Sequence, residues 1–441
     1  MNIRPTALVA VVLAAMSASL RADDWTTVRR DPANTAASTE VLRPPFNRAY
    51  AIAGATNEPL LAAGNTLYYT KKTAGGLRDL IAYDLKTRKP IWKVPNVTQP
   101  GAVSPTLGLA FTVIRTSAKP TSVSRLGANL WPCAVAGVNL KTGKTVWTYP
   151  IGDHPVYPAI SPLAVQGSLL YLVNIPYCVP GDPCPGGEIV ALDAHKGTVV
   201  GRHCWEAVWR DQVGTVLGPP ALIPDGKTIA VPIGYQSEPG KFAGQIWLLP
   251  TGAGLNDGPT TIIGDPDSTD WMDVAHSAGA SWPMFTKFRL MTQGPDDATR
   301  AWALLAKPEM KWKAVTSTGK AHCAGPNGTI LSYHSGKKRL FCANALDGQE
   351  KWSRPMTATT LAVSAGNLLF ICGTEPHPVK GPKTGRMDIT DGVLYVIDAR
   401  NGKSLWSWRK ADVTFNTPMV AAGHLFVSDS DGNIHVFQPS R

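Results

Sequence analysis

Five short phrases in this chain are versions of one another, and their spacing constrains the fold more than anything else in the sequence. They begin at Asp84 ("DLKTRKPIW"), Asn139 ("NLKTGKTVW"), Asp193 ("DAHKG"), Asn344 ("NALDGQEKW") and Asp398 ("DARNGKSLW"). Four residues after the Asp or Asn comes Gly143, Gly197, Gly348 or Gly402, with Arg88 standing there in the first copy. Four residues later, in four of the five, comes Trp92, Trp147, Trp352 or Trp406. The openings lie 55, 54, 151 and 54 residues apart, so the wide interval has room for two further units whose turns have eroded. A period of this size is the mark of a repeat architecture, in which each unit buries its apolar face only against its neighbours.

Each phrase joins two apolar strand-like runs, and a second pair lies upstream, as in "LAAGNTLYYT" (61–70) and "LAVSAGNLLFICG" (361–373). Strand, Gly turn, strand, longer loop, strand, "DxxxG" turn, Trp strand describes a four-stranded antiparallel meander. The Asp or Asn is expected to hydrogen-bond turn amides, the Gly to adopt φ > 0, and the Trp to cover the apolar layer between sheets. Arg88 then implies either a left-handed residue costing about 1 kcal/mol or a different turn. Four-stranded sheets that cannot bury both faces alone stack radially. The chain is thus expected to be all-β: an eight-bladed β-propeller of four-stranded antiparallel blades. Seven meanders run from Glu58 to about Lys410, and the eighth, in 416–437, has only three strands. "RAYAIAG" (48–54) alternates, has no meander of its own, and is expected to close the ring beside 434–437 as the last blade's outer strand. Residues 23–441 form a single propeller domain on this reading.

Ahead of it, Arg4, the apolar "ALVAVVLAAM" (7–16) and the small residues of "SASLRA" read as a signal peptide over 1–22, removed on export to the periplasm or medium. No later apolar run is long enough to span a bilayer as a helix. The formal charge is +11, or +9 without Arg4 and Arg21, which favours acidic partners. It is dispersed without a basic run, which argues against nucleic acid. Of seven cysteines, Cys178 and Cys184 in "YCVPGDPCP" are expected to form a loop disulfide, worth about 2 kcal/mol. Cys133, Cys204, Cys323, Cys342 and Cys372 mostly sit in strand patterns and read as buried thiols, without zinc or haem spacing.

"ALDAHKG" (191–197) and "VIDARNGKSLW" (396–406) resemble the repeat consensus of the pyrroloquinoline-quinone-like, or quinoprotein-like, propellers. "DDWTTVRRDPANTAAS" (23–38) resembles the lead-in segment of exported members. The resemblance implies the propeller fold. It also implies two sorts of activity: alcohol oxidation with the quinone and calcium, or scaffolding of a barrel-inserting partner by an outer-membrane-assembly lipoprotein. The dehydrogenases carry a disulfide between adjacent cysteines, and no two cysteines here are adjacent. The lipid-bearing cysteine of the scaffold branch is missing as well.

Loops between second and third strands are long in blades one (71–79), two (115–131), three (174–187), four (235–243) and seven (374–391), while hairpins on the opposite face are short. One elaborated face is therefore the expected binding face. It gathers Asp153, His154 and Tyr157 in the crossing to blade three, and Arg210 and Asp211 before blade four. It also gathers Asp270, Trp271, Asp273, His276 and Trp282 before blade five, His322 at blade six and His377 in the blade-seven loop. Asp and His there can bind a metal, act as acid and base, or satisfy turn amides. Lys71, Lys72, Arg115, Lys119, Arg125, Lys380, Lys383 and Arg386 would give this face a positive rim. The expected function is a monomeric binding or scaffold module, with no cofactor, for a protein, an anionic small molecule or a polysaccharide. The rivals are a quinone- and calcium-dependent oxidoreductase, and a lyase or hydrolase.

Overall fold

The computed structural model describes residues 24, 26–27, 30–31, 36–56, 58–73, 78–124, 127, 129–154, 161–174, 187–205, 220–223, 226–238, 241–263, 284–286, 289–293, 298–303, 309–318, 320–334, 337–376 and 390–440. The strands pair into eight sheets, each with an antiparallel four-stranded meander. Blade 1 is Leu61–Ala63, Thr66–Lys72, Arg78–Asp84 and Lys89–Val94. Blades 2 to 7 follow within 97–154, 164–205, 221–263, 284–318, 320–355 and 363–410. Blade 8 takes Met419–Ala421, His424–Ser428 and Asn433–Pro439 from the C-terminus and its outer strand, Phe46–Ala53, from the N-terminus. In that closing ladder Arg48 faces Phe437 and Ile52 faces Ile434. The expected closure therefore holds, with the strand beginning two residues earlier than the alternation suggested.

Burial orders each blade from axis to rim. First strands such as Leu61–Ala63, Val363–Ala365 and Met419–Ala421 are buried throughout, whereas the fourth strand Lys89–Val94 is mostly exposed and Glu350–Pro355 has no buried residue. Antiparallel alternation then puts the first hairpin and the third-to-fourth-strand turn of every blade on one face. The second-to-third-strand loops and the crossings between blades share the other.

The repeated phrase works across blades as well as within them. The side chains of Asp84, Asn139 and Asp193 each accept two amides of their own turn, at 2.7–3.1 Å. The fifth residue closes the turn by donating to the carbonyl of the first, at 2.7–2.9 Å in all five copies. Gly143, Gly197, Gly348 and Gly402 do so with φ of +68° to +75°. The Trp of the preceding blade lies on that turn. Trp92 donates its indole N–H to Leu140 O at 2.7 Å, Trp147 to Ala194 O at 2.9 Å and Trp352 to Ala399 O at 2.9 Å. A Cβ on Gly143, Gly197 or Gly402 would come within 2.8 Å of that indole, so these glycines serve a close approach as well as a left-handed turn.

Departures from the phrase come in matched pairs. Arg88 has φ +57° and makes the same turn, and the residue above it, on the closing strand, is Tyr50 instead of Trp. The Arg88 guanidinium lies 4.5 Å from the Tyr50 ring centroid, a cation–π contact that offsets backbone strain. In blade 3 the Trp position, opposite Ala191, is Gly201. Blade 4's turn is the 3-10 helix Gly252–Asp257, and Gly252 O lies 2.1 Å from where a Gly201 Cβ would stand. This is one of the eroded turns inferred from the wide interval.

The N-terminal segment does more than lead in, which the sequence did not indicate. Asp24 Oδ1 accepts Gly64 N at 2.6 Å in the first hairpin of blade 1, and Thr26 O accepts Val103 N at 2.8 Å in blade 2. Ala37–Ser38 then adds a parallel strand to the inner edge of blade 7, and Glu40 Oε2 accepts Gly423 N at 2.9 Å in blade 8. Thr27, Ala36 and Ser38 are buried. The segment therefore lies over the hairpin ends of the inner strands, on the plain face.

Candidate functional site

With the plain-face end of the inner ring covered, the opposite face is the one free to carry long loops. Many of its described polar groups are tied to one another. In blade 2 the long loop carries a short strand, Ser122–Val123, paired to Asn129–Leu130. Thr121 and Ser122 donate their hydroxyls to Asp153 Oδ2 at 3.0 and 2.7 Å. His154 is fully buried, with Nε2 3.1 Å from Ile151 O, and burial holds its imidazole below the ordinary histidine range. Asn174 donates to the same Ile151 carbonyl at 3.1 Å and to Glu188 at 2.9 Å. Asp153 and His154 are adjacent, as the sequence demands; Asp153 holds the loop to the blade, and His154 is buried against a carbonyl of its own strand.

Five cations of this face are similarly committed, whereas Lys71, Lys72 and Lys119 of the expected rim are exposed. Arg78 pairs with Glu58 and donates to Thr98 O at 3.0 Å. Arg115 lies over Trp131 at 4.5 Å, and burial lowers its pKa. Arg202 pairs with Glu188 at 3.2 Å, and Arg409 with Glu375 and, at 3.6 Å, with the buried Asp391. At the seam between blades 7 and 8, Lys410 reaches Asp429 at 2.5 Å and Asp431 at 2.8 Å, while His435 Nε2 lies 2.7 Å from Asp429. Burial pushes the Asp429 carboxyl up, but Lys410, the Asn433 amide and His435 outweigh it and leave it below the usual carboxylate range. Trp408 covers His435 with centroids 4.8 Å apart and stacks on Phe415 at 5.3 Å. Sequence reasoning missed this seam. Its signal is the acid at the end of a second strand or start of a third, opposite a base on the fourth strand.

Among the other expected site residues, His322 falls on the inner strand Lys320–Ala324 of blade 6. Tyr157, Arg210, Asp270, Trp271, Asp273, His276, Trp282 and His377 lie outside the described residues, as do Cys178 and Cys184. Arg125, Lys380, Lys383 and Arg386 of the expected positive rim do too. Cys133, Cys323, Cys342 and Cys372 are buried as expected, and Cys204 is exposed. Burial pushes the Cys133 thiol up to about 11, and that of Cys372 further. Among the described residues no three His, Cys, Asp or Glu side chains are grouped to hold a metal. None of their helices is long and apolar enough to cross a membrane.

Ring, blade count and one elaborated face define the class: an eight-bladed propeller that presents a loop surface. Residues 293–440, from blade 5 to blade 8, match the family model described as outer membrane protein assembly factor BamB. The whole ring is similar to solved structures: BamB from Moraxella catarrhalis (12% identity, TM-score 0.60, covering 89% of this chain and 100% of that one) and a europium-containing methanol dehydrogenase (13%, 0.60, 94% and 98%). It is similar too to the quinohemoprotein alcohol dehydrogenase from Comamonas testosteroni (12%, 0.57, 95% and 81%). No curated protein sequence matches significantly. The chain is thus similar in fold to the PQQ-like, or quinoprotein-like, β-propellers, and over residues 293–440 it resembles them in sequence as well. At such identities the likeness concerns fold, and one fold hosts many functions.

Proposed function

We propose that this propeller is an exported, monomeric binding scaffold whose elaborated face holds a protein partner, with an anionic small molecule or polysaccharide as the other ligand class. The observation that carries the reading is the state of that face. Asp153, His154, Arg78, Arg202, Arg409 and Lys410 are engaged with neighbouring groups, which makes them a frame for the loops. A match to a family model named for an assembly factor supports the same direction. The signal-like residues 1–22 support export.

The quinone of the dehydrogenase branch would need cations for its carboxylates and a platform for its ring. Arg78, Arg115, Arg202, Arg409 and Lys410 of the face already have acidic, backbone or aromatic partners, and the adjacent cysteine pair is missing from the sequence. The engaged arginines and the missing cysteine pair support a reading without that group. Two measurements test the proposal. Incubation with pyrroloquinoline quinone and calcium is expected to leave the melting temperature unchanged, since a ligand at 100 times its Kd would stabilise the fold by about 2.7 kcal/mol. Crosslinked partners from an envelope extract are expected to vanish when loop 377–389 is replaced by a short Gly/Ser turn. A chromophore at one per chain with dye reduction, or partners unaffected by the replacement, would overturn the reading.

A further inference from the structure

Exposed lysines occur on both faces, but on the plain face they recur at one position of the repeat. On the elaborated face Arg78, Arg115, Arg202, Arg409 and Lys410 meet acids, carbonyls or rings, while Lys71, Lys72 and Lys119 are exposed and scattered over separate loops. On the plain face the third-to-fourth-strand turns of blades 1 to 3 carry Lys86, Lys89, Lys141, Lys144 and Lys196, all exposed. None of the five has an acidic side chain within 4.0 Å among the described residues. The acids nearby, Asp84 and Asp193, accept amides of their own turns. The corresponding turn of blade 6 carries Asp347 and Glu350, that of blade 4, Gly252–Asp257, carries no base, and that of blade 7 carries the exposed Lys403 beside Arg400, which is bound to Asp398, so among the described turns exposed lysines are densest in blades 1 to 3.

Immediately beyond these turns the outer strands expose Ile91 (48%), Val146 (55%) and Val199 (45%). Edge strands often carry lysine to prevent pairing with another chain. That role does not account for Lys86, Lys141, Lys144 or Lys196, which precede the strands Lys89–Val94, Thr145–His154 and Val199–Trp205. The turns are also held at a common level, because Trp92 bonds blade 1 to the turn of blade 2 and Trp147 bonds blade 2 to the turn of blade 3. Three like groups at one level, with basic side chains at the turn and aliphatic ones beside it, match a flat anionic layer. An acidic peptide adding to an edge strand would engage one blade, since outer strands of different blades do not continue one another.

We propose that the plain-face arc of blades 1 to 3 docks the propeller on an anionic phospholipid surface, with the lysines among the headgroups and Ile91, Val146 and Val199 at the interface. Each basic side chain near such a surface contributes roughly fivefold to partitioning at low salt, and the attraction decays within a Debye length. The test is sedimentation of the full chain with vesicles of 30% phosphatidylglycerol in phosphatidylcholine. Expected are binding to these and not to pure phosphatidylcholine, loss of binding in high salt, and at least a tenfold weaker partition for the Lys86→Glu, Lys141→Glu, Lys196→Glu triple variant. Lys337→Glu with Lys338→Glu on the elaborated face is expected to bind as the parent does. If charge reversal unfolds the chain, the Lys→Gln triple must instead show a shallower salt dependence. Equal binding to neutral vesicles, an unaffected triple variant, or binding to soluble polyglutamate without binding to vesicles would overturn the proposal, the last in favour of an acidic polypeptide.

Discussion

Replacing Gly197 by Ala separates the two reasons for a glycine in the repeated turn. Gly197 has φ +69°, and an added Cβ would stand 2.4 Å from Cε3 of Trp147. Gly167, in the first hairpin of the same blade, has φ +57° and nothing within 4 Å of its Cβ position. Gly167→Ala therefore meets only the left-handed backbone penalty, about 1 kcal/mol. Gly197→Ala meets that penalty and displaces the indole. The displacement removes the 2.9 Å bond to Ala194 O, worth about 1 kcal/mol, and weakens packing against Phe111, whose ring centroid is 6.0 Å away, by roughly another 1 kcal/mol. The expected costs are thus about 1 and about 3 kcal/mol. Urea unfolding followed by tryptophan fluorescence and by circular dichroism reads the difference, and coincident transitions establish that the ring unfolds as one unit. Equal midpoints for the two variants would refute the account of Trp as the part that joins one blade to the next turn.

Three other outcomes follow from the same geometry. Phe46→Ala, at a buried site between Phe370 (6.0 Å) and Trp406 (5.4 Å), is expected to cost about 3–5 kcal/mol and loosen the closing strand; limited proteolysis within 46–53 that does not change would contradict this. Arg88→Gly relieves a left-handed side chain but gives up the contact with Tyr50, so its stability is expected within about 0.5 kcal/mol of the parent, and a large loss on thermal unfolding would show that the turn depends on Arg88 for something else. His154, His203, His424 and His435 are all held below the ordinary range, first by burial. Below about pH 6.5 the unfolded chain binds protons that the folded chain resists, so stability present above that pH declines as pH falls. A second loss follows below about pH 4, as Asp398 and Asp429, both lowered in the fold, become protonated. Equal melting temperatures at pH 7.5 and 5.5 would count against the histidine part.

Much of the ring was legible beforehand because its instructions are local. Asp84 to Trp92, or Asp398 to Trp406, specify a capped turn and a following strand within nine residues, and their recurrence counts the blades. The closing strand was legible because 48–54 alternates yet has no meander around it. The candidate site was far less so: Asp153 and His154 were picked for their chemistry, and the fold engages Asp153 in holding a loop and buries His154 against the Ile151 carbonyl.

By itself, then, the sequence determined the blade count, the turn chemistry and the splice of the two ends, since each depends on residues near one another or on a regular period. Only the tertiary structure decided why Gly197 must lie bare beneath Trp147, why Arg88 is tolerated beneath Tyr50, and where Asp24 to Glu40 run. It also decided which cations find acids and which face solvent. These contacts join residues 47 or 48 apart in neighbouring blades, or 383 apart across the closed ring, as Glu40 meets Gly423. No local propensity encodes them, because they come into being when the circle of sheets shuts.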